Sequence, residues 1–169
     1  MNQIQIYDNF LNAADFQNVY VNMMGDRFPW YYNTSVSNPC KYESDLNYQF
    51  TYSFYKENTG VVGDYYSILS PCLEKMGINL LLRCKSNLNP RTEVNQQIGD
   101  MHVDWNLPYV KTAIYYVNTN NGFTLFEDGT KVDSVSNRLV VFDAPTNHVG
   151  YTCTDENVRV LVNFNYIPS

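Results

Sequence analysis

The chain has 169 residues, enough for one substantial hydrophobic core and too few for two domains of ordinary size. Hydrophobic residues make up 44% and charged residues 17%, which excludes wholesale disorder, and 15 Tyr, 9 Phe and 2 Trp favour strands over an all-helical fold. Eleven basic against 17 acidic residues give a net charge of -6, which disfavours a nucleic-acid partner, because such binding draws on Lys and Arg.

The opening "MNQIQIYDNF" lacks the basic segment and apolar core of a signal peptide, and no apolar run approaches the ~20 residues of a membrane span. Four cysteines, Cys40, Cys72, Cys84 and Cys153, show neither CxxC pairing nor zinc-finger spacing and read as free thiols of a reducing compartment. A soluble, cytoplasmic chain without a membrane partner is expected.

Residues 13 to 24, "AADFQNVYVNMM", place Phe16, Val19, Tyr20 and Met23 on one helical stripe, with Asn12 as N-cap and Gly25 just past the end. "NYQFTYSFY" gives a weak strand signal through the alternation of Tyr48, Phe50, Tyr52 and Phe54. In "DYYSILSPCLEKMG" a second stripe runs through Tyr65, Ile68, Leu69, Cys72, Leu73 and Met76 to Gly77, and Pro71 is expected to kink or split that helix. From residue 78 the character changes. "INLLLRCKS", "KTAIYYVN", "FTLFEDG", "RLVVFDA" and "VRVLVNFNY" are short β-rich runs separated by turn signals such as "NTNNG", "EDG" and "TDEN". They predict a mainly β, antiparallel sandwich or barrel with helices packed outside.

Within "GDMHVDWNLP", His102 and Asp104 stand two positions apart and converge on one point if the segment is extended. His148 in "PTNHVG" is the other histidine of the chain, and two His with one carboxylate leave open positions on a metal such as non-haem Fe(II). The last run sets Val158, Val160, Val162, Phe164 and Tyr166 on one face and Asn157, Arg159, Leu161, Asn163 and Asn165 on the other. A guanidinium on an inward face needs an anion, and a bound carboxylate supplies one. The single turn between His148 and Arg159 puts them on adjacent strands in this reading.

"HVD", "KTAIYYVNTNNGFTLFEDG", "NRLVVFDAPTNH" and "VRVLVNFNY" resemble the Fe(II)- and 2-oxoglutarate-dependent dioxygenases, specifically the prolyl-hydroxylase-like group. "IYDNFLNAADF" and "FPWYY" look like its small phage and bacterial members. The resemblance implies one domain over residues 1–169, with helical support over about 1–77 and a double-stranded β-helix (jelly-roll, cupin-like) core over about 78–166. It implies Fe(II) on His102, Asp104 and His148, the distal carboxylate of 2-oxoglutarate on Arg159 with help from Tyr116, and Asn163 in the cosubstrate pocket. Asn89 in "NLNP" stands where the group often carries a tyrosine that contacts the cosubstrate. Asp104 is the carboxylate that halogenating members lack, which favours hydroxylation of a C–H bond, with O2 as co-reactant and ascorbate as stimulant. The substrate is read as a peptidyl prolyl residue, with a free amino acid or other small metabolite as the alternative. A non-catalytic metal- and 2-oxoglutarate-binding sensor is a third reading. Trp30 and Trp105 read as core aromatics, "EDG" as a hairpin turn and Arg91 as a solvated charge.

Overall fold

A computed structural model describes residues 4–34, 36 and 48–169. Cys40 and the first residue of "NYQFTYSFY" lie outside the described residues. In chain order the elements are β1 (Gln5–Tyr7), α1 (Ala13–Met23), β2 (Tyr31–Asn33), β3 (Gln49–Lys56), β4 (Gly60–Val61), a 3-10 turn (Tyr66–Leu69) and α2 (Ser70–Lys75). They continue as β5 (Ile78–Pro90), β6 (Gln97–His102), β7 (Lys111–Tyr116), β8 (Phe123–Phe126), β9 (Lys131–Asp133), β10 (Arg138–Asp143), β11 (His148–Tyr151) and β12 (Val158–Pro168).

All pairings among these strands are antiparallel, as short strands joined by tight turns allow. One eight-stranded sheet runs β1-β10-β7-β12-β5-β3-β2, with β4 on β3, and a four-stranded sheet runs β6-β11-β8-β9. The first 77 residues thus supply β1 to one region of the large sheet and β2 to β4 to the other, besides the helices. The "EDG" segment makes the β8–β9 hairpin: Phe126 N–H donates to Thr130 O, and Asp128 Oδ1 accepts the Thr130 N–H.

α1 forms where its apolar stripe requires. Asn12 Oδ1 accepts the Asp15 N–H at 2.9 Å, satisfying a free donor of the first turn, while Val19 and Met23 are buried. Pro71 splits the second stripe, because proline fits the first turn of α2 but not the interior of a continuous helix. Both helices cover the outer face of the large sheet, where Val19, Met23, Leu69 and Cys72 meet Phe54, Tyr115, Val160, Val162 and Phe164. Each large apolar side chain buried there contributes roughly 1.5 to 3 kcal/mol. Trp30 packs on this core beside Phe28, and Trp105 packs on Leu82, Val110 and Ala144, so both tryptophans are packing residues. Among the described residues Cys72, Cys84 and Cys153 are free and buried.

The alternation of β12 divides the molecule. Val160, Val162, Phe164 and Tyr166 enter the helix-covered core, whereas Arg159, Leu161 and Asn163 line a cavity between the two sheets. Beside that cavity, Ile114, Tyr116, Val140 and Phe142 of the large sheet pack on Phe126 and Val132 of the small one.

Asn137 ties the amino-terminal segment to this frame. It holds φ +60, its side chain accepts from Leu11 N–H at 2.8 Å and from Tyr115 Oη at 3.0 Å, and it donates to Leu11 O at 2.9 Å. Asn137→Ala orphans these buried groups and strains the backbone, so urea unfolding should show a loss of about 3 to 4 kcal/mol. Asn137→Gly should recover about 1 kcal/mol of that, since glycine accepts positive φ. An alanine variant within about 1 kcal/mol of wild type would refute the account.

Candidate active site

The two histidines meet across a strand pair. His148 opens β11 and His102 closes β6, and the two are register partners with ring centroids 4.9 Å apart. The β6 strand ends at His102, so Asp104 projects from the turn that follows rather than from continued strand. One ligand atom from each of His102, Asp104 and His148 lies within 4.8 Å of the others. Asp104 Oδ1 is 3.9 Å from His102 Nε2 and Oδ2 is 3.9 Å from His148 Nε2, too far for hydrogen bonds.

Backbone carbonyls orient both rings. His102 Nδ1 is 2.8 Å from Asp100 O and His148 Nδ1 is 3.0 Å from Thr146 O, so each Nδ1 carries the donated proton and each Nε2 lone pair is free toward Asp104. Burial pushes the His148 pKa down, which keeps the ring neutral, although Asp104 opposes this. Asp104 is itself buried, which alone would raise its pKa. The Arg83 guanidinium, with the Asn165 hydrogen bond, outweighs that and holds the carboxyl below its usual range. Arg83 Nη2 donates to Asp104 Oδ1 at 2.7 Å, and Asn165 Nδ2 donates to Oδ2 at 3.3 Å while its own oxygen accepts from Arg83 Nε at 2.8 Å.

The cavity behind this cluster has a volume of about 220 Å³ and is lined from both sheets. At its far end lies Arg159, 1% exposed, and burial pushes its pKa down. Its Nε donates to Ser134 Oγ at 2.9 Å and its Nη2 to Thr124 Oγ1 at 3.2 Å. It forms no ion pair with any described residue.

The expectation that His148 and Arg159 occupy adjacent strands is corrected. β11 pairs with β6 and β8, whereas β12 pairs with β5 and β7, so the two residues belong to different sheets and face one cavity between them. A turn between consecutive strands does not make them partners when the chain crosses between layers.

The "NTNNG" turn gives this arginine its place. Asn118 Nδ2 donates to Val158 O and its Oδ1 accepts the Val160 N–H, so it grips both neighbours of Arg159. Gly122 makes room for the stem, since a Cβ there would stand 2.7 Å from Arg159 Cδ and 2.9 Å from Tyr151 O. Gly150 lies beside the head, with a Cβ position 3.4 Å from Nη1.

Asn163 and Asn89 line the same cavity, and Asn89 is the register partner of Arg159. Tyr116 does not line it. Its ring lies 5.6 Å from the Arg159 guanidinium carbon and its hydroxyl donates to Thr124 Oγ1 at 2.8 Å, so Thr124 rather than Tyr116 faces the cavity. Arg91 is exposed. The sequence reading missed Arg83, Lys85 and Asn87, which line the wall with Asn89 as alternate residues of β5. The period-two alternation in "RCKSNLN" was the signal for them.

The sequence matches no family model and no curated protein. Solved structures do match in three dimensions. A prolyl hydroxylase from Trichoplax adhaerens in complex with a hypoxia inducible factor peptide fragment superimposes with a TM-score of 0.67 at 15% identity, over 99% of this chain and 84% of that one. A 2-oxoglutarate-Fe(II) oxygenase family oxidoreductase from Burkholderia pseudomallei gives 0.67 at 12% identity, over 97% and 85%. HygX from Streptomyces hygroscopicus, with nickel, 2-oxoglutarate and hygromycin B bound, gives 0.58 at 10% identity, over 99% and 84%. The chain therefore has the mainly antiparallel jelly-roll, or double-stranded β-helix, fold of the Fe(II)- and 2-oxoglutarate-dependent oxygenases.

Proposed function

We propose that the protein is an Fe(II)- and 2-oxoglutarate-dependent oxygenase that hydroxylates a C–H bond. The observation that carries this reading is Arg159, a buried guanidinium without an anionic partner among the described residues, set in the same cavity as the His102–Asp104–His148 cluster. A buried charge is costly unless compensated, and a dicarboxylate reaching from the cluster compensates it.

The donor set fits the metal. Two imidazoles and one carboxylate, without thiolate, suit Fe(II) and leave positions for other ligands. When bound, Fe(II) and 2-oxoglutarate supply the oxidising chemistry, in which O2 is consumed, 2-oxoglutarate is decarboxylated to succinate and one oxygen atom enters the substrate. His102 and His148 present their lone pairs because their Nδ1 protons are committed to carbonyls. Asp104 is held ionised and aimed by Arg83 and Asn165. Arg159 receives the far carboxylate through its planar fork, with Asn89 and Asn163 on the adjoining wall and Thr124, positioned by Tyr116, beside the fork. Ile98, Ile114 and Leu161 give the wall an apolar side.

For the substrate we infer a peptidyl prolyl residue. An open cavity of this volume admits a small cosubstrate and one inserted side chain, and the Trichoplax relative in fold holds a peptide. A free amino acid or other small metabolite is the second reading, favoured by the small molecule in the Streptomyces structure. Protein supplied with Fe(II), ascorbate, O2 and 2-oxoglutarate, with panels of proline-containing peptides and free amino acids, decides by mass spectrometry. One added oxygen on a peptidyl proline supports the first reading, and the same gain only on a free metabolite supports the second. Iron and 2-oxoglutarate bound with no succinate formed would refute catalysis.

Anaerobic protein should bind one Fe(II) or Mn(II) per chain, and His148→Ala should weaken this at least ~100-fold, since loss of an outer-shell partner alone typically costs ~10- to 100-fold. Equal metal content in wild type and a variant lacking all three ligands would sink the assignment.

Arg159→Met should lose about 2 to 3 kcal/mol of 2-oxoglutarate binding. The same variant should unfold at the same or higher urea concentration without ligand, because a buried unpaired charge is replaced by an apolar side chain. Gly122→Ala should weaken 2-oxoglutarate binding without touching it, by displacing the Arg159 stem. Calorimetric affinities unchanged in both variants would contradict the role of Arg159.

A further inference from the structure

One positive charge is left over when the charges of the described cavity lining are counted. Among the described residues the lining holds three cations, Arg83, Lys85 and Arg159, against two carboxylates, Asp100 and Asp104. Arg83 is paired with Asp104. A divalent ion and a dianionic cosubstrate cancel each other, so the described lining keeps one excess positive charge when both are bound. The Lys85 ammonium makes no hydrogen bond or close ion pair with any described residue, although it is partly buried in the wall and Asp104 attracts it from beyond ion-pair distance.

Its position sets it apart from Arg159. In the large sheet β5 lies between β12 and β3, so Lys85 stands one strand away from Arg159, on the side where Gln49 and Val36 line the cavity. Its register partner on β12 is Asn163, and on β3 it is Ser53. The buried side-chain oxygens without a partner, among the described residues, are those of Asn163, across from Lys85, and Asn87, next along its face. Incomplete polar pairing is thus concentrated on the wall around this lysine, as expected of a surface that a ligand completes.

We propose that Lys85 docks an acidic group of the primary substrate, so that the molecule oxidised beside His102, Asp104 and His148 carries a carboxylate. This rests on the reading of the cavity as a 2-oxoglutarate oxygenase site. A lysine suits the task, since its ammonium is a mobile point charge on a flexible stem and tolerates a carboxylate delivered by substrates of different shape. On a peptide substrate the acidic group is a side chain or terminus near the oxidised residue, and on a small metabolite it is the molecule's own acid.

The test uses the full chain saturated with Mn(II) and 2-oxoglutarate without O2, with acetate as the minimal carboxylate probe. Paramagnetic relaxation of the acetate methyl protons by Mn(II) reports binding near the triad. Acetate should bind the wild type and Lys85→Arg, and bind Lys85→Met at least tenfold more weakly, while the 2-oxoglutarate affinity of all three stays within twofold. Lys85→Met is close in length, and Lys85→Arg separates loss of charge from loss of fold. Equal acetate relaxation in wild type and Lys85→Met would overturn the proposal. So would a tenfold loss of 2-oxoglutarate affinity in Lys85→Met, which would assign the lysine to the cosubstrate. Failure of the wild type to bind 2-oxoglutarate would instead overturn the oxygenase reading on which the proposal stands.

Discussion

A guanidinium buried between two β-sheets with no carboxylate beside it among the described residues is the constraint around which the structure is arranged. Arg159 is fully enclosed and, among the described residues, donates to the neutral hydroxyls of Ser134 and Thr124. Neutral hydrogen bonds do not offset the loss of hydration of a full charge. The surroundings hold it in place nonetheless. Asn118 clamps the backbone on either side, Gly122 leaves space for its methylenes, and the Tyr116 ring lies close to its head. On the proposed reading, such an arrangement sacrifices stability of the empty protein for a preformed anion receptor, a pattern found where binding rather than folding is selected.

The triad is organised on the same principle at the other end of the cavity. Two backbone carbonyls set the histidine tautomers, and Arg83 with Asn165 fixes the carboxylate between them. Each of these contacts comes from a different part of the chain: β5, β6, β11, β12 and the turn after β6. The jelly-roll brings them together because β6 and β11 pair in the small sheet while β5 and β12 pair in the large one. The long apolar face against the helices anchors the large sheet, so the opposite face is free to carry polar side chains.

Much of this was legible along the chain, and the failures have physical causes. The alternation of β12 could be read directly, because a strand with one face in a core and one in a cavity shows its period in residue types. The same rule applied to "RCKSNLN" identifies the second wall, but the three leucines just before it mask the alternation that follows. The strands β1, β2, β4 and β9 have two or three residues each, too few for a period, and exist because a longer partner offers hydrogen bonds. The assignment of His148 and Arg159 to adjacent strands failed because pairing is a long-range property that a short turn does not report. The resemblance implies that Tyr116 helps Arg159 hold the carboxylate, but its hydroxyl turns to Thr124, which only the assembled sheets bring near.

The central claim is that one cavity holds a metal at one end and a dicarboxylate, reaching Arg159, at the other. The most direct measurement is a crystal structure of the protein grown without O2 with Mn(II) and 2-oxoglutarate, the metal located by anomalous scattering. The account predicts a single strong peak bonded to His102 Nε2, Asp104 and His148 Nε2, with the far carboxylate making two hydrogen bonds to Arg159. A metal peak elsewhere, or a dicarboxylate bound away from Arg159, would contradict it.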